Sequence, residues 1–283
     1  MPMVTRRSNR VFLYLFVLVV LLVTLFPFYW IINMSLQSSI ELYDMPPHFL
    51  PPHPTIENFR SVLFEEQGLM KFYQAVFNTL IVAVVTMTVC IALGSITGYA
   101  LARLDWKWGM AFLFVLIGTQ MIPPLVDLIP LYIIFSRWLK IVDTKLALVI
   151  GYTGWLLPIS VWILYGYFQT IPRDLESAAR IDGCTRLQAF GRVVMPLSAP
   201  GIAATSIYVF ISSTNEFLFA MIFSSTARSK TIPVALTDMI GKYQIRYGDM
   251  TAGAVIAAIL PVVLALIFQK YLVASLTAGG IKG

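Results

Sequence analysis

The sequence predicts an all-α fold, a polytopic membrane bundle of six transmembrane helices. Of its 283 residues, 58% are hydrophobic and only 12% are charged, whereas a soluble domain needs about 25% charged residues to cover its surface. The mean hydropathy is +0.80, and apolar runs of the roughly 20 residues that cross a bilayer recur along the chain. Most of the outer surface is therefore expected to face lipid.

The first predicted span covers residues 11–32, which contain no charged residue. Three arginines precede it, Arg6, Arg7 and Arg10. Although a signal peptide begins in the same way, this run is too long for a signal sequence and no small-residue cleavage site follows it. Because basic residues before the first span often fix its orientation, we predict an uncleaved span with residues 1–10 in the cytoplasm.

Five further spans are predicted at 76–101, 109–135, 146–168, 199–223 and 251–272. Residues 33–75 are polar and proline-rich, which predicts an extended segment followed by a short amphipathic helix near 56–72. Prolines also lie inside the spans, at Pro123, Pro124, Pro130, Pro158 and Pro261. Backbone groups freed by proline must be satisfied by neighbouring helices or by water in a cavity, so these prolines favour kinked helices around a water-filled path.

Six spans and a cytoplasmic N-terminus define the topology of a multi-pass protein of the cell (cytoplasmic) membrane. The cytoplasmic segments are then 1–10, 102–108, 169–198 and the C-terminal tail 273–283. The net charge of +6 comes from basic residues dispersed between the apolar runs. Cationic residues at span ends explain this distribution, and it does not form the basic patch that nucleic-acid binding requires.

The longest predicted cytoplasmic loop, 169–198, has well-defined local chemistry. Asp174 is expected to N-cap a short helix, and Gly183 is expected to end it because glycine readily adopts the left-handed C-cap conformation. Thr185 and Gln188 have the spacing of a capping box that begins a second helix. Since a segment this small cannot stabilise itself, we expect it to dock on a partner protein or to lie on the membrane surface.

Within this loop the sequence resembles the membrane subunits of binding-protein-dependent ABC importers. Their signature is Glu-Ala-Ala, three residues, Gly, nine residues, then Ile-x-Leu-Pro. The matching positions are Ser177, Ala178, Ala179, Gly183, Val193, Met195 and Pro196. Ser177 stands in place of the signature glutamate, and Glu176 lies one position earlier. The resemblance implies that an ATPase docks on this loop, with coupling residues Glu176, Ser177, Ala178, Ala179, Asp182, Gly183 and Pro196.

Further motifs resemble the MalG-like branch of the family, which serves carbohydrate importers. They are PTIENF at 54–59, NEF at 215–217, TIP at 231–233 and LTAGGIKG at 276–283. In the family, similar tails insert between two ATPase subunits, which implies such contacts for Thr277, Gly279, Gly280 and Lys282. The residues by themselves indicate only a flexible, slightly basic tail.

The resemblance also implies the partners: a second permease subunit, two ATP-binding subunits, an extracytoplasmic solute-binding protein and a carbohydrate substrate. The chain itself is expected to be a non-catalytic subunit without a cofactor, because its sequence lacks the Gly-x-x-x-x-Gly-Lys-Ser/Thr loop that holds nucleotide phosphates. ATP and magnesium would bind to the partner ATPases. His48 and His53 lie five residues apart in an extended segment, a spacing that does not predict a metal site.

Polar residues inside the predicted spans are candidates for a translocation path. They are Gln120, Asp127, Asn215 and Glu216. An ionisable group costs about 2.5–3.5 kcal/mol at the centre of a membrane helix, so each calls for a reason. Sugars are recognised by hydrogen-bonding side chains and aromatic faces, which the chain offers. A hydrogen bond between helices, or a place at the outer interface, is the alternative for Glu216.

The alternative to an importer subunit is a secondary carrier driven by an ion gradient. Such a carrier would use intramembrane carboxylates such as Asp127 and Glu216, but it would also need an internal repeat, and the two halves of the sequence share no duplicated pattern. For a membrane-embedded enzyme, the sequence offers neither a nucleophile motif nor a metal cluster.

Overall fold

A computed structural model of the chain describes residues 7–64, 66–67, 70–240 and 245–279. The α-helices in these ranges are α1 (Arg7–Ser35), α2 (Glu57–Phe64), α3 (Phe72–Arg103), α4 (Gly109–Thr119), α5 (Pro124–Ile133), α6 (Lys145–Thr170), α7 (Arg173–Ile181), α8 (Arg186–Ala189), α9 (Met195–Leu197), α10 (Ala199–Asn215), α11 (Leu218–Phe223), α12 (Ile232–Thr237) and α13 (Tyr247–Gly279). The shorter elements are a 3₁₀ turn (Glu41–Tyr43), strands β1 (Glu66–Gln67) and β2 (Met70–Lys71), and π-helical turns at Ile134–Trp138 and Phe190–Val194.

Four helices, α1, α3, α6 and α13, are each long and apolar enough to cross a membrane without interruption. Two bent pairs raise the number to six if each pair is one span. In the first pair, α4 meets Pro124–Trp138 at 89°; in the second, the segment Arg186–Leu197 meets α10 at 75°. The predicted helical membrane fold is confirmed, and six spans result when both bent pairs are counted.

The spans predicted at 109–135 and 199–223 are each interrupted: the first breaks at the prolines that predict a kink, and the second at a break that was not predicted. The first run is interrupted between α4 and α5, where Pro123 and Pro124 carry no backbone N–H to continue the helical ladder. The second stops at Asn215, because the Glu216 carboxylate accepts hydrogen bonds from backbone N–H groups at the start of α11. Each break therefore has a local chemical cause.

Two smaller boundaries also differ from the prediction. The helix expected near 56–72 is shorter: α2 ends at Phe64, and the two short strands follow it. Helix α7 begins at Arg173, after Pro172, so the prediction that Asp174 is its N-cap is wrong. Asp174 instead lies in the first turn, where a carboxylate still interacts favourably with the helix dipole.

The chain divides by its contacts into two units, residues 1–67 with 238–256 and residues 68–237 with 257–283. In the first unit, the large apolar side chains of α1 are exposed along the helix, as expected for a surface in contact with lipid. Asn58 of α2 is buried and donates hydrogen bonds to the carbonyls of Ser35 and Gln37, 2.9 and 2.7 Å away. These bonds attach α2 to the chain that follows α1.

The second unit is organised around the packing of α3 against α6. A Cβ atom at Gly98 would lie 2.9 Å from the backbone nitrogen of Tyr165 and 3.3 Å from the carbonyl oxygen of Val161, so the two helix backbones touch there and only glycine fits. A buried apolar cluster joins α3 and α6 to α5, α10 and α11. Its largest fully buried members are Tyr152, Phe135, Phe223, Leu128, Leu148 and Leu156.

Asp143, in the loop before α6, holds the loop that follows α11. Its backbone N–H donates to the Phe223 carbonyl at 2.8 Å. Its carboxylate accepts hydrogen bonds from the backbone N–H groups of Ser225 and Thr226 and from the hydroxyls of Thr226 and Ser229, over 2.6–2.9 Å. Burial alone would raise the pKa of Asp143, but these hydrogen bonds outweigh it and lower the pKa to about 2.

The stability of this loop should therefore depend on pH. Because the folded-state pKa is below the ordinary value of about 4, ionised Asp143 stabilises the loop above pH 4, and that stabilisation is lost as the pH falls towards 2. The Asp143→Asn variant should show faster amide exchange at Ser225 and Thr226 at neutral pH, and should lose the acid dependence. Asp105→Asn is the control, because the side chain of Asp105 is 94% exposed. Unchanged exchange in Asp143→Asn would contradict this role.

Candidate functional site

The loop between α6 and α10 forms the predicted pair of helices with a glycine turn. Helix α7 ends at Ile181, and Gly183 follows with φ +93°, in the left-handed region that favours glycine. The backbone N–H of Gly183 donates to the Arg180 carbonyl at 3.2 Å, and that of Cys184 donates to the Ala179 carbonyl at 3.0 Å. These bonds satisfy the last carbonyls of α7, and the prediction for Gly183 is confirmed.

The second helix of the loop, α8, begins with the predicted capping box. The backbone N–H of Gln188 donates to the Thr185 hydroxyl at 3.3 Å, and the backbone N–H of Thr185 donates to Gln188 Oε1 at 2.8 Å. The π-helical turn Phe190–Val194 then leads into α9, which contains Pro196. The loop is therefore a continuous set of short, capped helical segments.

The coupling residues named from the sequence do not share one face of α7. Ser177 and Ala178 are exposed, Ala179 is half-buried, and Asp182 is exposed at the end of the helix. Glu176 is buried. The small exposed side chains lie near large apolar ones that are also exposed, namely Leu175, Ile181 and Leu187. This surface, from 175 to 187, is called the loop surface below.

Glu176 faces the membrane helices and forms a buried network with the end of α3. Its Oε2 accepts a hydrogen bond from Arg103 Nε at 3.1 Å, and its Oε1 accepts one from the Tyr99 hydroxyl. The side chains of Arg103 and Glu176 are only 5% and 9% exposed. Arg103 also donates through Nη2 to the Ile171 carbonyl at 2.9 Å, which fixes the chain just before α7. The ion pair therefore attaches the loop to α3.

Aromatic rings surround this ion pair. The ring of Tyr99 lies 4.5 Å from that of Phe190 and 6.2 Å from that of Phe168, centroid to centroid. Together with Leu164 and Val194 they form a buried apolar cluster at this end of the unit. Since an ion pair of this kind is stable only when its remaining polar atoms are paired, the Tyr99 hydroxyl and the Ile171 carbonyl complete the arrangement.

Tyr99 and Arg103 were not among the residues singled out from the sequence. A basic residue at the end of a predicted span is ordinarily read as an interfacial anchor, and Arg103 fits that pattern equally well. The one available signal is Glu176 itself, an acidic residue directly before the signature position, which calls for a cationic partner. Sequence spacing gives no indication of which span supplies the partner.

The four path candidates lie in two places. Gln120 and Asp127 line the same cavity, at the break between α4 and α5. Asn215 is exposed at the end of α10. Glu216 is buried, and its two carboxylate oxygens accept hydrogen bonds from the backbone N–H groups of Phe219 and Ala220 at 3.0 and 3.2 Å. Glu216 therefore holds the first turn of α11 from the position before its N-cap residue, Phe217.

The tail residues are described only in part. Thr277 and Gly279 belong to the backbone of α13, which continues as a helix to Gly279 rather than ending near residue 272 as predicted. Gly280 and Lys282 lie outside the described residues. The histidines of the first unit each lie close to an acidic side chain, His48 near Asp44 and His53 near Glu41.

A bundle of apolar helices, with a capped two-helix loop exposing small and apolar side chains, is the architecture of a multi-pass membrane permease. The chain belongs to the family described as "Binding-protein-dependent transport system inner membrane component", whose model matches residues 90–278. The resemblance found in the sequence is confirmed. Family membership supports a permease subunit of the inner membrane and disfavours the secondary carrier.

Individual relatives agree with this assignment over nearly the whole chain. The trehalose/maltose transport system permease protein MalG of Thermococcus litoralis is 34% identical, covering 97% of this chain and 98% of the relative. The sulfoquinovosyl glycerol transport system permease protein SmoH of Agrobacterium fabrum is 37% identical, covering 92% and 89%. A solved bacterial ABC transporter involved in the import of the acidic polysaccharide alginate has the same fold, with a TM-score of 0.75 at 23% identity, covering 96% of this chain and all of that one.

Proposed function

We propose that the chain is one of two membrane-spanning subunits of an ATP-driven sugar importer. It forms half of the translocation path and couples to ATPase subunits through the loop at 174–196. The carbohydrate class rests on relatives named for trehalose, maltose and sulfoquinovosyl glycerol. The complex would contain a second permease subunit, two ATP-binding subunits that hold ATP and magnesium, and an extracytoplasmic solute-binding protein.

The observation that carries this proposal is the attachment of α7 to α3 by the buried Arg103–Glu176 ion pair. An amphipathic loop resting on the membrane surface would need no such attachment. A loop that receives force from an ATPase does need one, because otherwise a push on α7 would move only the loop. Ser177 and Ala178 also support the proposal, because their small, exposed side chains let a partner protein approach α7 closely.

The replacement of the signature glutamate by Ser177 changes the charge that the loop offers to an ATPase. Ser177 is exposed, whereas Glu176 is buried in its ion pair with Arg103 and is not available to replace the missing charge. On the loop surface the ATPase would therefore meet exposed apolar side chains together with the basic Arg180 and Arg186 and the acidic Asp182. Thr277, Gly279, Gly280 and Lys282 would add contacts from the tail.

The orientation follows from this role. The N-terminus, the segment 102–108, the loop at 169–198 and the C-terminal tail lie on the cytoplasmic side, where ATP is available. Closure of the ATPases on nucleotide would move α7, and with it α3, between inward-open and outward-open arrangements of the bundle. Such a change is a two-state equilibrium that nucleotide binding shifts.

Purification of the tagged chain from its native membranes tests the proposal. An ATP-binding subunit and a second permease subunit should be recovered with it, and reconstituted vesicles should take up sugar only with the loaded binding protein and hydrolysable ATP. Vesicles given a non-hydrolysable ATP analogue are the control. Uptake by the purified chain alone, driven by a proton or sodium gradient, would refute an importer subunit.

A further inference from the structure

The second unit contains a cavity of about 400 Å³, which lies apart from the coupling loop. Its walls come from the break between α4 and α5, from the middle of α6 and from α11. The residues that matter for its chemistry are Gln120, Asp127, Gly154, Trp155 and Phe219. The volume lies within the range of about 300–1,000 Å³ that is usual for small-molecule sites.

We propose that this cavity is a subsite for an uncharged carbohydrate and that Asp127 excludes anionic sugars from it. The inference rests on the proposed importer function. It goes further in placing a sugar-binding site in this chain, rather than only in its partners, and in naming the charge of the ligand. Two independent properties of the cavity carry it, the pairing of polar and aromatic walls and the sign of its charge.

Asp127 supplies the first polar group. It lies in the first turn of α5, where the helix dipole favours a carboxylate, and it is exposed. Among the described residues it has no hydrogen-bond or ion-pair partner. A carboxyl group within a membrane span needs water or a polar ligand beside it, so the cavity must be open to water or filled by hydroxyl groups.

Gln120 supplies the second polar group. Its Nε2 donates to the Trp155 carbonyl at 2.9 Å, which holds the amide at the cavity wall. This bond uses one amide donor, and the carbonyl oxygen remains available as an acceptor for a hydroxyl. A carboxylate and an amide on one wall match the hydroxyl groups of a sugar, each of which both donates and accepts.

Aromatic side chains supply the remaining wall. Trp155 is half-buried and packs against the buried apolar cluster, and Phe219 of α11 lies in the same cluster. Sugar rings present C–H groups on their faces, and these pack on aromatic rings, whose faces carry partial negative charge. A cavity with hydroxyl-binding groups on one side and aromatic rings on another therefore suits a carbohydrate better than a purely apolar or purely ionic ligand.

The charge of the cavity defines the ligand further. Among the described residues that line it, none is a lysine or arginine, and Asp127 is the single acidic one. A phosphate, carboxylate or sulfonate on the ligand would meet the like charge of Asp127, and no cation among the described lining residues offsets that repulsion. The site therefore selects neutral sugars over sugar acids and sugar phosphates.

Gly154 allows a test that does not disturb packing. A Cβ atom there would meet nothing within 4 Å, and the same is true at Gly166 on the same helix, which does not line the cavity. The Gly154→Cys and Gly166→Cys variants are made in a Cys90→Ala, Cys184→Ser background and labelled with a small hydrophilic thiol reagent in the intact complex. Glucose, maltose, trehalose and raffinose serve as neutral probes; glucuronate and glucose 1-phosphate serve as anionic ones.

We expect the Gly154→Cys variant to be labelled, and at least one neutral sugar to slow its labelling about fivefold when the sugar is present at about four times its Kd. The anionic sugars should give no protection, and labelling of Gly166→Cys should not respond to any sugar. Trp155→Ala should remove the protection and Trp155→Phe should retain most of it, whereas Asp127→Asn should extend protection to the anionic sugars.

Several results would overturn the proposal. Absence of labelling at Gly154→Cys would mean that the cavity is closed. Labelling that no neutral sugar slows would show that the cavity does not bind a carbohydrate. Equal protection by anionic sugars would show that Asp127 does not select against charge. These readouts do not depend on ATP. If the labelling experiment fails while ATP-driven uptake is intact, only the proposed sugar site is refuted. If the wild-type complex shows no ATP-driven uptake, the importer function is refuted and the labelling result still tests the sugar site.

Discussion

The Ala178→Arg variant should lose sugar uptake by tenfold or more while inserting and folding normally. Ala178 is exposed on α7, so arginine meets no steric conflict within the chain. Against a partner surface, however, it adds a long charged side chain where a small one allows close approach, and like or unpaired charges at an interface cost several kcal/mol. ATP hydrolysis by the complex should then no longer respond to the loaded binding protein.

Ala178→Ser is the matched control for this variant. It keeps a small side chain at the same exposed position and should retain uptake close to the wild-type rate. Uptake by reconstituted vesicles and ATPase activity are measured for both variants. If Ala178→Arg transports as well as Ala178→Ser, the loop surface does not dock on an ATPase.

The Arg103→Met variant should show the largest loss of stability. Removing the arginine leaves the Glu176 carboxylate buried without its charged partner, which typically costs about 3–5 kcal/mol. The carbonyl of Ile171 also loses its donor. We expect a lower midpoint of thermal unfolding in detergent and much faster amide exchange in α7, because the helix is no longer attached to α3.

Two variants separate the ion pair from a general effect of losing an arginine. Arg180→Met removes an exposed arginine from the same helix and should leave thermal unfolding unchanged. Adding Glu176→Gln to Arg103→Met removes the unpaired charge and should restore part of the lost stability. A double variant no more stable than Arg103→Met alone would show that the charge on Glu176 does not matter.

The membrane fold was predictable because hydropathy is a local property. The uninterrupted spans α1, α3, α6 and α13 are each one long apolar run, and their positions match the predictions to within several residues at most ends. The breaks were harder to place. Pro123 and Pro124 signal a kink but not a bend of 89°, and Glu216 gives no sign in the sequence that its carboxylate caps a new helix within an apolar run.

The candidate site was predictable in its local chemistry and not in its orientation. Gly183 and the Thr185–Gln188 capping box act on neighbouring backbone atoms, so their spacing is sufficient to identify them. Asp174 and Glu176 both lie in the first turn of α7, and only packing against Arg103, 73 residues earlier in the chain, buries one and leaves the other exposed. Long-range pairing of this kind leaves no trace in a single sequence.

The backbone contact at Gly98 restricts how the bundle can move. No side chain separates the two helices at this point, so rotation or sliding of one helix against the other would disturb a direct backbone contact. We therefore expect α3 and α6 to move together, and α7 to move with them because the Arg103–Glu176 ion pair attaches it to the end of α3. Any bending needed for alternating access is left to the hinges on either side, the proline break between α4 and α5 and the Glu216 break between α10 and α11.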